Sequence, residues 1–153
     1  METANLFNNM VCEVRVDLAP KGRIGSRPKI TCSKDAYEIF APGWEEINYR
    51  ERFKVMFLNR SNRVIGIREI SSGGIAGTVV DVRMIMQAAL GVNAVSMIVS
   101  HNHPSLSYDF SDQDIKLTKK IMKAGKIMDI TLLDHVLITE EGYVSMADEG
   151  MLK

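Results

Sequence analysis

Apolar and polar residues alternate strictly in several stretches of this chain and recur at helical spacing in others, and that change of period predicts its elements. Cys12, Val14, Val16 and Leu18 alternate with Glu13, Arg15 and Asp17, which predicts a half-buried first strand. A loop rich in Pro, Gly and basic residues follows from Ala19 to Lys29. Ser33 reads as the cap of a short helix over Lys34 to Phe40, stopped by Pro42-Gly43. Strands near Arg52 to Asn59 and Arg63 to Ile70 are joined by Arg60-Ser61-Asn62, a hairpin signal, and Gly73, Gly74 and Gly77 mark a turn region beyond them.

Asp81 can cap a helix whose Val82, Ile85, Met86, Ala89 and Leu90 share one face, with Gly91 as its stop. The run Ala94-Val95-Ser96-Met97-Ile98-Val99 reads as a buried strand. After Phe110, Ser111 can cap a helix that begins at Asp112 and stops at Gly125, with Asp114, Thr118, Ile121 and Gly125 along one line. Asp129 to Thr139 and Tyr143 to Met146 read as closing strands around the turn Glu140-Glu141-Gly142. This order predicts an α/β fold, a mixed sheet flanked by helices, with residues 1–32 as a strand and basic-loop extension to a domain over 33–153.

Candidate chemistry concentrates directly after the buried strand, in His101-Asn102-His103-Pro104-Ser105. Residues i and i+2 of an extended chain point to one side, so both imidazoles face the same way from alpha carbons roughly 6.5–7 Å apart. A tetrahedral site needs a third ligand from another element, and Asp114 is the candidate, since it lies on the inward edge of its helix's apolar stripe. Ser111-x-x-Asp114 alone is a capping-box pattern of ordinary helices. Beside His-x-His, it points instead to a divalent metal, with zinc the best match to two imidazoles and one carboxylate. Three protein ligands leave a position for water, the mark of a catalytic site, and hydrolysis then needs a general base from outside the histidine segment.

These residues resemble the metalloprotease motif of JAB/MPN domains, and specifically the bacterial RadC-like branch, in which His-Asn-His-Pro-Ser is typical. The likeness runs from about Ser33 to Leu152 and includes Glu51 to Asn59, Gly73-Gly74, Arg83 with Ala88-Ala89-Leu90, Leu133-Asp134-His135 and Tyr143-Val144-Ser145. It implies a single domain similar to the cytidine-deaminase-like three-layer architecture, and zinc on His101, His103 and Asp114. It further implies Glu51 as the base, with Glu45 and Glu46 as nearby competitors, and Ser111 as a helper of the developing oxyanion. The implied substrate is a peptide or isopeptide bond in an unidentified protein. Two departures stand out: Leu106 where family members usually have Gly, and Phe110 where they usually have Pro. The intervening loop can place Tyr108 and Phe110 at the cleft mouth or use them to cover the core.

Composition narrows the classes. With 153 residues, 46% of them hydrophobic, the chain suffices for one core. Nineteen basic residues balance nineteen acidic ones, so no global field draws the protein to nucleic acid or membrane. Lys116, Lys119, Lys120, Lys123 and Lys126 nonetheless form a local basic face; this face, the Ala19 to Lys29 loop and the family's historical DNA-repair label sustain a second reading as a DNA-associated or scaffold module. Cys12 and Cys32 make no Cys-x-x-Cys pair, and neither a signal segment nor about 20 consecutive apolar residues occurs, so the cytoplasm is expected. A zinc deaminase would want His-x-Glu and Pro-Cys-x-x-Cys, which are absent. Met84, Met86, Met97 and Met122 fit apolar patterns as core filler. His135 reads as a structural residue or as a partner of a ligand histidine.

Overall fold

The computed structural model describes residues 26–73 and 79–153. The expected first strand, most of the basic loop, Gly74 and Gly77 lie outside these residues. Among the described residues five strands form one mixed sheet: β1 (Arg52–Leu58), β2 (Val64–Ser72), β3 (Ser96–Asn102), β4 (Thr131–Thr139) and β5 (Gly142–Ser145), in the spatial order β2-β1-β3-β4-β5. Only β3 and β4 run parallel; β1 pairs antiparallel with both β2 and β3, and β4 with β5. Three α-helices among the described residues flank the sheet, α1 (Ser33–Phe40), α2 (Val82–Gly91) and α3 (Asp112–Ile127), so the expected α/β fold is observed as a single domain.

Alternation along the strands sorts side chains into two cores. Phe53, Val55 and Phe57 of β1 and Met97 and Val99 of β3 point to the face covered by α2 and α3, where they meet Ile85, Ala89 and Ile121. Met56, Leu58, Ile98, Val136 and Ile138 point to the opposite face, where Ala36 and Phe40 of α1, together with Ile30 and Trp44, cover them. Every residue of β3 is buried, as a central strand covered on both faces requires. His101 continues the parity of Met97 and Val99, so it emerges on the α2/α3 side at the end of the sheet's most buried strand.

Several boundaries differ from the sequence expectation. Strand β3 begins at Ser96, two residues later than the apolar run, and extends through His101 and Asn102, which pair with Leu137 and Ile138 of β4, so the first histidine is itself part of the sheet. Cys32, not Ser33, is the N-cap of α1; Ser33 is the first helical residue, with its hydroxyl on Asp148. Helix α3 passes through Gly125 instead of stopping there. Leu90 and Met84 are exposed, Leu90 to 50%, because α2 turns only its Val82, Ile85, Met86, Ala88 and Ala89 inward. Met86 and Met97 are core residues as expected, and Met122 packs against the core.

Candidate metal centre

Three elements deliver the site. His101 comes from β3, His103 follows one residue beyond the strand, and Asp114 sits in the first turn of α3. The Nε2 atoms of the two histidines are 2.9 Å apart; the Asp114 carboxylate lies 3.3 Å from His101 Nε2 by one oxygen and 3.5 Å from His103 Nε2 by the other. Tetrahedral zinc with bonds of about 2.0–2.1 Å requires its ligand atoms to stand about 3.3 Å apart. Two imidazole nitrogens and one carboxylate at these separations fit such an ion. Among the described residues this is the one cluster of three such groups close enough to share a metal.

Local chemistry explains why α3 starts where it does. Ser111 Oγ accepts the Asp114 N–H at 3.1 Å while the Asp114 carboxylate accepts the Ser111 N–H at 2.8 Å, a reciprocal capping box. The cap and the candidate ligand are therefore the same residues, and the capping hydrogen bonds orient the carboxylate toward the histidines. Burial pushes the Asp114 carboxyl up, but the neighbouring imidazoles of His101 and His103 together outweigh it and hold the group well below the usual carboxylate range. The same carboxylate raises His103, against the opposing effect of its burial. His103 Nδ1 donates to the Ser107 carbonyl at 3.2 Å, so in the neutral ring, the form that ligates a metal, Nε2 is bare.

Glu51 precedes β1 and lines the same cleft, a cavity of about 560 Å³ that it shares with the two histidines, Ser111 and Asp114. Burial pushes its carboxyl up, partly countered by the nearby imidazoles. Glu46, one of the competitors, is instead engaged with Arg52 at 2.8 Å, and Glu45 is exposed away from the cleft lining. Asn102 has a role that the sequence pattern does not single out. Its side-chain oxygen accepts the Arg52 N–H at 2.7 Å and its amide donates to the carbonyls of Ile47 and Arg50, so it ties the segment bearing Glu51 to the histidine strand. The signal was available in its position: alternation turns a residue between two same-side histidines toward the other face, where a polar side chain must find partners.

The two departures from the usual motif each have a local place. Leu106 adopts φ 63°, a left-handed conformation that glycine takes at no steric cost, within a turn closed by its N–H on the His103 carbonyl. Phe110 lays its ring against His101 and His135, with centroids 6.0 and 5.3 Å away, and Tyr108 bonds its hydroxyl to Thr139 at 3.0 Å. Phe110 thus packs on the candidate ligand His101, whereas Tyr108 is held at the end of β4 and stays partly exposed. His135 is fully buried and touches His101, and burial holds its imidazole well below the usual range, hence neutral.

The RadC-like JAB domain model matches residues 30–151, most of the chain. This protein belongs to the RadC-like JAB domain family. Curated relatives agree: a UPF0758 protein of Flavobacterium johnsoniae is 49% identical over 123 residues, 80% of this chain and 53% of the relative. One from Porphyromonas gingivalis is 38% identical over 134 residues, covering 87% and 59%, and one from Syntrophomonas wolfei 37% over 134 residues, covering 86% and 57%. This RadC-like chain thus spans little more than half the length of those relatives. No helix among its described residues is long and apolar enough to cross a membrane.

Proposed function

We propose that this RadC-like JAB domain is a zinc-dependent hydrolase of peptide or isopeptide bonds. The observation that carries this reading is the convergence of His101, His103 and Asp114 at tetrahedral spacing in a cleft that also holds Glu51. Zinc bound by these three residues would supply Lewis-acid chemistry, acidifying water toward a pKa of about 7 and polarising a carbonyl. Glu51 is then the proton carrier: its carboxylate takes the proton from the attacking water and returns it to the leaving amine. Ser111 uses Oγ as an acceptor for its helix, which leaves the hydroxyl proton to donate to an oxyanion in the cleft. Phe53 and Phe110, packed on His101, keep water from its far side.

The test begins with zinc content after purification without affinity-tag histidines. About one zinc per chain is expected, lost in His103→Ala and Asp114→Ala, whereas Glu51→Gln keeps the metal and lowers peptide-bond cleavage by about 10²–10⁴-fold. Metal-free protein with no zinc affinity on titration sinks the reading. It would move the alternative forward, a DNA-associated or scaffold module without proteolytic activity, for which the exposed lysines of α3 are the supporting observation.

A further inference from the structure

Behind the metal ligands, three side chains form a line of short hydrogen bonds that starts and ends on ligand-bearing residues. Thr118 Oγ1 lies 2.6 Å from the backbone carbonyl of Asp114, one turn earlier on α3, and 2.6 Å from His135 Nδ1. His135 Nε2 in turn lies 2.7 Å from His101 Nδ1. Thr118 is 2% exposed and His135 not at all, and the rings of Phe53 and Phe110 close over His135.

The direction of every proton follows from one end. A carbonyl oxygen only accepts, so the Thr118 hydroxyl proton is committed to Asp114. Oγ1 then meets His135 as an acceptor, and His135 Nδ1 must donate. A neutral imidazole carries one N–H, so His135 Nε2 is bare and accepts from His101 Nδ1–H. This leaves His101 Nε2 as a lone pair directed at His103 and Asp114, the tautomer that can ligate a metal. In the other tautomer, a hydrogen would occupy the ligand position.

We propose that Thr118 and His135 are positioning residues of the metal centre: they set the His101 tautomer and lock the histidine strand to the helix that carries Asp114. This inference rests on the metal reading above. Hydrogen-bonding partners behind ligand histidines commonly change metal affinity by about 10–100-fold when removed. Neither residue needs to touch substrate, since the effect passes through His101 and through the Asp114 backbone.

Thr118→Val replaces the hydroxyl by a methyl of similar size, whereas Thr118→Ser keeps the hydroxyl. Zinc affinity would be read by competition with a chromophoric chelator, and the imidazole tautomers by long-range proton–nitrogen NMR on the metal-free protein. Expected are a His101 proton on Nδ1 in the wild type, zinc binding weakened about 10–100-fold in Thr118→Val with the His101 tautomer mixed, and binding restored close to wild type in Thr118→Ser. Simple loss of packing would not distinguish valine from serine in this order. Tight zinc binding by Thr118→Val with His101 unchanged overturns the proposal alone, leaving the metal reading intact. A wild-type His101 proton on Nε2 also overturns it, a result that needs no variant to fold. A wild type without zinc affinity overturns both readings.

Discussion

At Glu51, burial and neighbouring charge oppose one another. Burial is the larger influence and raises its carboxyl above the ordinary value, while the imidazoles of His101 and His103 pull it down. A carboxyl raised on folding stabilises the protein below its unfolded pKa, and that contribution disappears as pH rises through the folded value. At neutral pH the ionised Glu51 is therefore the less comfortable form. Metal-free Glu51→Gln should unfold at a higher temperature than the metal-free wild type at pH 7, with the difference closing as pH falls below the ordinary glutamate range. A difference independent of pH in thermal unfolding would contradict this. Ser111 shows why residue letters alone understate a site: its capping-box pattern is an ordinary helix start, and only the histidines beside Asp114 turn that start into candidate chemistry.

Helix α3 was expected to stop at Gly125, because glycine after an apolar stripe reads as a C-cap. The helix continues to Ile127, and Gly125 serves packing. A Cβ built there would stand 2.3 Å from the Ile130 carbonyl oxygen, where α3 turns closely into β4. Helix propensity alone predicts that Gly125→Ala stabilises by about 1 kcal/mol. The close approach predicts the reverse, a net loss of about 1–3 kcal/mol in denaturant unfolding, since the backbone must shift. A gain in stability would show that the turn yields. Strand β4 adds a second case. Met97 pairs with Leu132 but Ile98 with Asp134, so Leu133 is the extra residue of a bulge. Strict alternation would put Leu132 and His135 on opposite faces; the bulge brings both to the α3 side, where His135 meets Thr118 and His101.

Across the whole molecule basic and acidic residues are equal in number, and the α3 lysines form a local positive surface among the described residues, directed away from the helix's buried line of Thr118, Ile121 and Gly125. Duplex DNA should therefore bind weakly at physiological salt, without a salt slope of several phosphates. Tight binding with such a slope, together with absent peptide cleavage, would favour the DNA-associated reading. Letters and periods alone determined the α/β class, the parity that puts His101 and His103 on one side, and the inward edge that exposes Asp114 to them, because these depend on neighbours within one or two turns of chain. The pairing of β1 with β3, the Asn102 clamp on the Glu51 segment, the Leu133 bulge and the line from Thr118 through His135 to His101 were decided by tertiary structure. Each joins residues far apart in sequence, and no local period records which strands pair or in what register.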